Sequence, residues 1–218
     1  MKKLILTAIA LAGSLSAAVI DVNATTRGSF DETNASTLSA SAAFLAGILN
    51  TVEYHDYFQF DVPVFTGTVT GATLLFANLP SNHAASDLGL PVTFEAAAVS
   101  GAPSFTAIGS GAAYGSTSVD TDTPPSSLSV VLNALALSTI GSGSSFQVGG
   151  RITDLVTTPV LLDQYALGFT NSGGRLSPTV TLEITTSDVT GGAVPEPSSL
   201  LLAASGAGLL FLRRRRIA

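Results

Sequence analysis

The sequence predicts an all-β chain built around a single β-sandwich with one or two short helices, and three observations predict it. Short runs alternate apolar and polar residues with a period of two, clusters of Gly, Pro, Ser, Asn and Asp separate those runs, and almost no part of the body shows helical periodicity. Several short strands divided by turn signals, rich in β-branched and aromatic residues, pack as two sheets over one core.

Taken in order, residues 39–49 are small and apolar and leave helix and strand both open. Residues 57–62, YFQFDV, put Phe58, Phe60 and Val62 on one face and Tyr57, Gln59 and Asp61 on the other; Pro63, which has no N–H for a ladder, ends the run. Residues 68–79, 92–99, 146–153 and 164–170 are strands by the same signals. Asn133, then ALALSTI, then Gly141 forms a short helix with an N-cap and a glycine stop. Residues 179–185, TVTLEIT, turn Val180, Leu182 and Ile184 one way and Thr181, Glu183 and Thr185 toward water.

The two ends are of a different kind. Residues 1–18, MKKLILTAIALAGSLSAA, carry a basic start (Lys2, Lys3), an apolar stretch and small residues before a cut, which predicts a signal peptide cleaved after Ala18, with Ala24 as second choice. At the other end, residues 198–212 are free of charge and precede Arg213, Arg214, Arg215 and Arg216. As a helix those residues span about 22 Å, short of a bilayer core of about 30 Å unless flanking residues extend it. The arginines hold their end in the cytoplasm and leave the preceding chain outside. Pro195 and Pro197 keep residues 194–197 extended and exposed. The expected division is signal peptide 1–18, β-sandwich domain 19–188, linker 189–194 and C-terminal signal 195–218.

The order Val194-Pro195-Glu196-Pro197, apolar stretch, arginine cluster resembles the PEP-CTERM sorting signal of Gram-negative bacteria that make extracellular polysaccharide. The resemblance implies recognition by an exosortase, an integral-membrane cysteine transpeptidase-like enzyme, and removal of the tail, as for other discarded C-terminal signals. Pro195, Glu196 and Pro197 are then the sorting motif, and Arg213 to Arg216 set the topology. A permanent tail anchor is the alternative. In the body, YFQFDVPVFTGTVTGATLLF resembles a strand pair of exported jelly-roll domains of the carbohydrate-binding-module-like kind, and FQVGGRIT and LSPTVTLEITT resemble their closing strands. That likeness, over residues 24–187, implies a jelly roll, but a fold does not carry a function.

Charge narrows the partners. Of nine Lys and Arg, six lie in the two end signals, leaving Arg27, Arg151 and Arg175 against fourteen acids in residues 19–195, a net charge of −11. Such a body excludes nucleic acid and is repelled by anionic lipid. With no cysteine there is no disulfide, thiolate nucleophile or cysteine metal site.

The inventory for chemistry is thin. His55 and His83 are the two imidazoles; their sequence neighbours predict a surface ring for the first and a solvated turn for the second, and their spacing fits no zinc motif. A pair of glycosidase carboxylates needs proximity in space that sequence does not report. Asp61 is either a calcium ligand or sugar contact, or a strand-end carboxylate accepting N–H bonds from the next turn; the second is the ordinary role. Asp120-Thr121-Asp122 lacks the further oxygens of a calcium loop. No tryptophan offers a sugar platform, so a weak carbohydrate site would use Tyr54, Tyr57, Tyr114 or Tyr165, with Asp61 as a further contact. No cofactor is expected beyond a structural calcium ion. The leading expectation is a non-enzymatic surface or matrix protein of a biofilm-forming bacterium, structural or adhesive. A carbohydrate-binding module, calcium-dependent or not, is the alternative, and a polysaccharide hydrolase the second alternative.

Overall fold

The computed structural model describes residues 17–187, apart from 41, 66, 158–161 and 169–177. Its strands are β1 (Ala18–Asp31), β2 (Ala46–Leu49), β3 (Val52–Asp61), β4 (Val69–Ala77), β5 (Ala85–Ser86), β6 (Val92–Ala98), β7 (Ala113–Val119), β8 (Ser127–Val131), β9 (Ser145–Ile152), β10 (Gln164–Ala166) and β11 (Thr179–Thr186). Helix α1 (Phe105–Gly109) joins β6 to β7, and α2 (Ala134–Ser142) joins β8 to β9. The chain is mostly β, and its strands pair antiparallel in one sheet that curls on itself.

The curl begins in β1. Residues 18–23 pair with β11, residues 24–31 pair with β3, and the register shifts between Ala24 and Thr26. An extra residue at such a point bends a strand and raises its twist. One limb of the sheet therefore runs β1–β11–β4–β8, and the other runs β1–β3–β9–β6–β7 with β2, β10 and β5 continuing from the free stretch of β3. Phe76 of β4 packs edge-on against Phe58 of β3 at 5.3 Å and against Phe94 of β6 at 5.6 Å, which brings the two limbs face to face. Leu74, Leu182 and Ile184 from one limb join Phe60, Phe146 and Val148 from the other in one buried cluster. Each such side chain contributes about 1.5–3 kcal/mol by leaving water.

Two consecutive glycines sit in β9, a strand paired on both sides, where glycine weakens a sheet unless something needs the room. A Cβ on Gly149 would lie 2.3 Å from Cγ2 of Ile108, and one on Gly150 would lie 2.5 Å from the Phe94 ring. One face of β9 thus admits the buried side chain of α1 and the other a core phenylalanine. Arg151, next in the strand, then ties α1 down: its guanidinium donates to the carbonyls of Ile108 and Gly111 at 3.2 Å each and to that of Gly109, while pairing with Glu95.

The strands expected at 57–62, 68–79, 92–99, 146–153 and 179–185 are present as β3, β4, β6, β9 and β11. β3 starts five residues earlier, at Val52, and β10 ends at Ala166, with residues 169–170 outside the described set. Of residues 39–49, Ala46–Leu49 form strand β2, Ser39 makes an isolated bridge to Arg27, and residues 42–45 are irregular. In α2 the Asn133 side chain accepts from Leu135 and Ala136 N–H as expected of an N-cap, but the helix continues through Gly141 to Ser142. β1, β5, β7, β8 and α1 were not anticipated. β7 is built largely from Ala, Gly, Ser and Thr, whose weak alternation hides a half-buried strand, and β8 alternates over only five residues, SLSVV.

Candidate sorting tail and the surface of the body

The sorting residues Pro195, Glu196 and Pro197 and the arginines 213–216 lie outside the described residues, so the body defines the site by where it releases the tail. β11 ends at Thr186, and the Ser187 N–H donates to the Thr68 carbonyl at 2.9 Å. Thr186 is directly opposite Ala18, so the body's first and last strand residues leave the sheet at the same end. Seven residues, 188–194, separate Ser187 from Pro195 and reach at most about 25 Å when extended.

The candidate ligand residues lie far along β1 from that exit. Asp31, at the other end of the 14-residue β1, opposes Tyr54; Tyr54 opposes Gly47 of β2; and Gly47 opposes Tyr165 of β10. Tyr54 and Tyr165 are half-buried, two strand spacings apart, or about 9.5 Å. Gly47 has φ +111°, and a Cβ there would meet the Gln164 carbonyl oxygen at 2.2 Å, so only glycine lets the three strands close up. The Tyr165 hydroxyl is pushed upward in pKa by burial and then by the charges of Asp163 and Asp87. Neither Tyr114 nor Tyr57 joins this row. Tyr114 is 4% exposed and stacked on Phe146 at 5.5 Å. Tyr57 is 2% exposed, edge-on to Phe30 at 6.3 Å, with its hydroxyl on Gln59 Oε1 at 3.0 Å, so no face of its ring is open to a sugar. Asp61 is exposed at the end of β3, opposite Ser145 and apart from both tyrosines of the row.

Both histidines depart from the surface positions their neighbours suggested. His55 is 5% exposed, stacked on Phe105 at 3.9 Å; its Nδ1 lies 2.8 Å from the Phe105 carbonyl oxygen and its Nε2 3.2 Å from Glu53 Oε1. His83 does lie in a turn, but it is 0% exposed, with Nδ1 2.9 Å from the Pro80 carbonyl oxygen and Nε2 without a partner among the described residues. Burial lowers the pKa of each.

The least expected titratable group is Asp56. It opposes Ser29 on one side and Gly150 on the other, is 0% exposed, and among the described residues neither carboxyl oxygen has a partner of normal hydrogen-bond geometry. The nearby Leu45 N–H donates to Ser29 Oγ at 3.0 Å and, lying close to Asp56 as well, offsets part of the effect of burial on that carboxyl. Burial raises the Asp56 pKa well above the ordinary carboxylate value, so the group is held neutral. Arg27, opposite Phe58 and diagonal to Asp56, donates to the Pro178 carbonyl and lies 5.4 Å over the Phe44 ring. Hydrophobic alternation marks which residues share a face and gave no sign of this acid.

In the loop after β7, Asp120 accepts the N–H groups of Asp122 and Thr123 at 2.9 and 3.0 Å and the Thr123 hydroxyl at 2.8 Å, and Asp31, at the end of β1, likewise holds Thr33 and Ala35. These bonds keep both carboxylates below their usual pKa. Among the described residues no group of three or more potential ligands could hold a metal ion.

A family model described as the PEP-CTERM protein-sorting motif matches residues 193–216. It spans the Pro-Glu-Pro segment, the uncharged stretch and all four arginines, so the chain carries the sorting motif of exosortase substrates. No curated protein matches the chain.

Proposed function

We propose that this chain is an exported, exosortase-processed protein of the cell surface or extracellular matrix of a biofilm-forming, polysaccharide-producing Gram-negative bacterium, with a structural or adhesive, non-catalytic body. The sorting motif at residues 193–216 carries the reading. The body is a single, jelly-roll-like β-sandwich in this reading, supported by the two limbs that face each other across Phe58, Phe76 and Phe94. The absence of catalysis draws support from the two buried, carbonyl-bound imidazoles. Signal-peptide removal after Ala18 fits the ladder: it leaves residues 19–23 paired with β11, whereas a cut after Ala24 would strip that ladder and expose an edge.

The test is an immunoblot of membrane and extracellular fractions, using a tag inserted at exposed Gly89, where nothing lies within 4 Å. Glu196→Ala should leave an uncut precursor in the membrane, as should loss of the exosortase for the unaltered protein. Unaltered protein kept at full length in exosortase-positive cells makes the tail a permanent anchor instead. A second reading, weak carbohydrate binding at the Tyr54–Gly47–Tyr165 row, is favoured by the register that sets two tyrosines about 9.5 Å apart. Polysaccharide binding with and without calcium, compared with Tyr54→Ala and Tyr165→Ala, separates it from a purely structural role.

A further inference from the structure

We propose that the β1–β11 ladder is the closing step of the fold, and that it zips on the tail-bearing precursor before the C-terminal signal is removed; the timing rests on the reading of residues 195–218 as a processed signal. β11 lies between β1 and β4 and is paired along its length with β4. Its Val180, Leu182 and Ile184 are 3%, 0% and 0% exposed. Among the described residues, β1 residues 18–23 pair with β11 alone. The partners are distant in sequence, Asn23 with Thr181 and Ala18 with Thr186. In a chain exported from its N-terminus, residues 18–23 emerge early and find no strand until residue 186 is out. One limb thus stays open until β11, the last strand among the described residues, arrives.

That arrival coincides with lodging of the tail. When Arg213 to Arg216 stop transfer with the uncharged stretch in the bilayer, everything up to the Pro-Glu-Pro segment is outside, β11 included. Because the ladder is antiparallel, Ala18 and Thr186 leave the body side by side, so it can zip while the C-terminal segment is still in the membrane. All-β pairing of this kind completes in roughly milliseconds to seconds.

The chain has no cysteine, which allows a direct test in the full-length protein. Asp21 and Glu183 are opposed across the ladder. Opposed Cα atoms of an antiparallel pair lie about 4.5–5.5 Å apart, within disulfide range. Asp21→Cys with Glu183→Cys, expressed in cells lacking the exosortase, should give a tail-bearing precursor that is mostly cross-linked by non-reducing gel mobility. Asp21→Cys with Thr179→Cys, four residues away along β11, should stay reduced. A reduced precursor beside cross-linked processed chains in exosortase-positive cells overturns the timing. Equal cross-linking of both cysteine pairs overturns the ladder. If the tail is removed in no cell, the processing reading and the timing fail together, while the contrast between the two pairs still decides the ladder.

Discussion

Gly149→Ala tests whether the glycine pair of β9 exists to seat α1. The new methyl would meet Ile108 Cγ2 at 2.3 Å, Cγ1 at 2.8 Å and Cβ at 3.0 Å, and Ile108 is 0% exposed. Ile108 cannot yield sideways without moving α1. That helix is held by Arg151 on its last carbonyls, His55 on the Phe105 carbonyl and the Asn34 side chain on the Phe105 N–H. Overpacking costs about 1–3 kcal/mol. Losing the Arg151 bonds adds to this, and the lower unfolded-state entropy of alanine offsets about 0.4–1 kcal/mol. The net loss should be about 1–3 kcal/mol, which for a body of this size lowers Tm by roughly 3–10 °C. Ile108→Ala alone should cost about 2–5 kcal/mol. Together the two changes should cost no more than Ile108→Ala alone, because the methyl enters the space the isoleucine vacates. The assay is urea unfolding of residues 19–187 followed by circular dichroism, run as a double-mutant cycle. Additive losses, or a Gly149→Ala protein as stable as the parent, would refute the reasoning.

Four further outcomes are expected. Asp56 holds a proton when folded that the unfolded chain releases above a pH of about 4, so it makes stability fall as pH rises from there through its raised folded pKa. Asp56→Asn should remove that component, seen as a difference between the two Tm-against-pH curves that widens toward alkaline pH; parallel curves would exclude a buried neutral acid. His83 has a lowered folded pKa, so the unfolded chain takes up the proton first and stability is lost as pH falls below about 6.5; His83→Asn, which keeps a donor for the Pro80 carbonyl, should flatten the acid side of the same curve. Exported protein should begin at Val19 by N-terminal sequencing, and a start at Thr25 would contradict the β1–β11 ladder. Far-UV circular dichroism of residues 19–187 should be strand-dominated, and a helix content near one third would contradict the fold.

Some of this protein is local enough to be read directly from the chain. The Pro-Glu-Pro segment, uncharged stretch and arginine cluster match the sorting motif as a linear pattern of order and charge, so no fold is needed to recognise them. β11 is equally legible, since strict alternation over TVTLEIT states which side chains share a face, and Asn133 caps its helix through bonds to its own next residues. What alternation leaves open is which face another layer covers. Tyr57 and Asp61 share a parity in YFQFDV, yet α1 and Phe30 cover the first and water the second. His55, His83 and Asp56 stand among polar neighbours in sequence and are buried because Phe105, the 80–84 turn and the β1–β3–β9 ladders close over them. β1 was obscured for a related reason: its first residues follow an expected cleavage site, and its partner is the last strand of the body. The glycine pair of β9 reads as a weak point until Ile108 and Phe94 arrive from either side. Short-range chemistry settled the sorting motif, the cap and the faces, whereas burial, being a property of what packs on a face from far along the chain, was decided only by the tertiary structure.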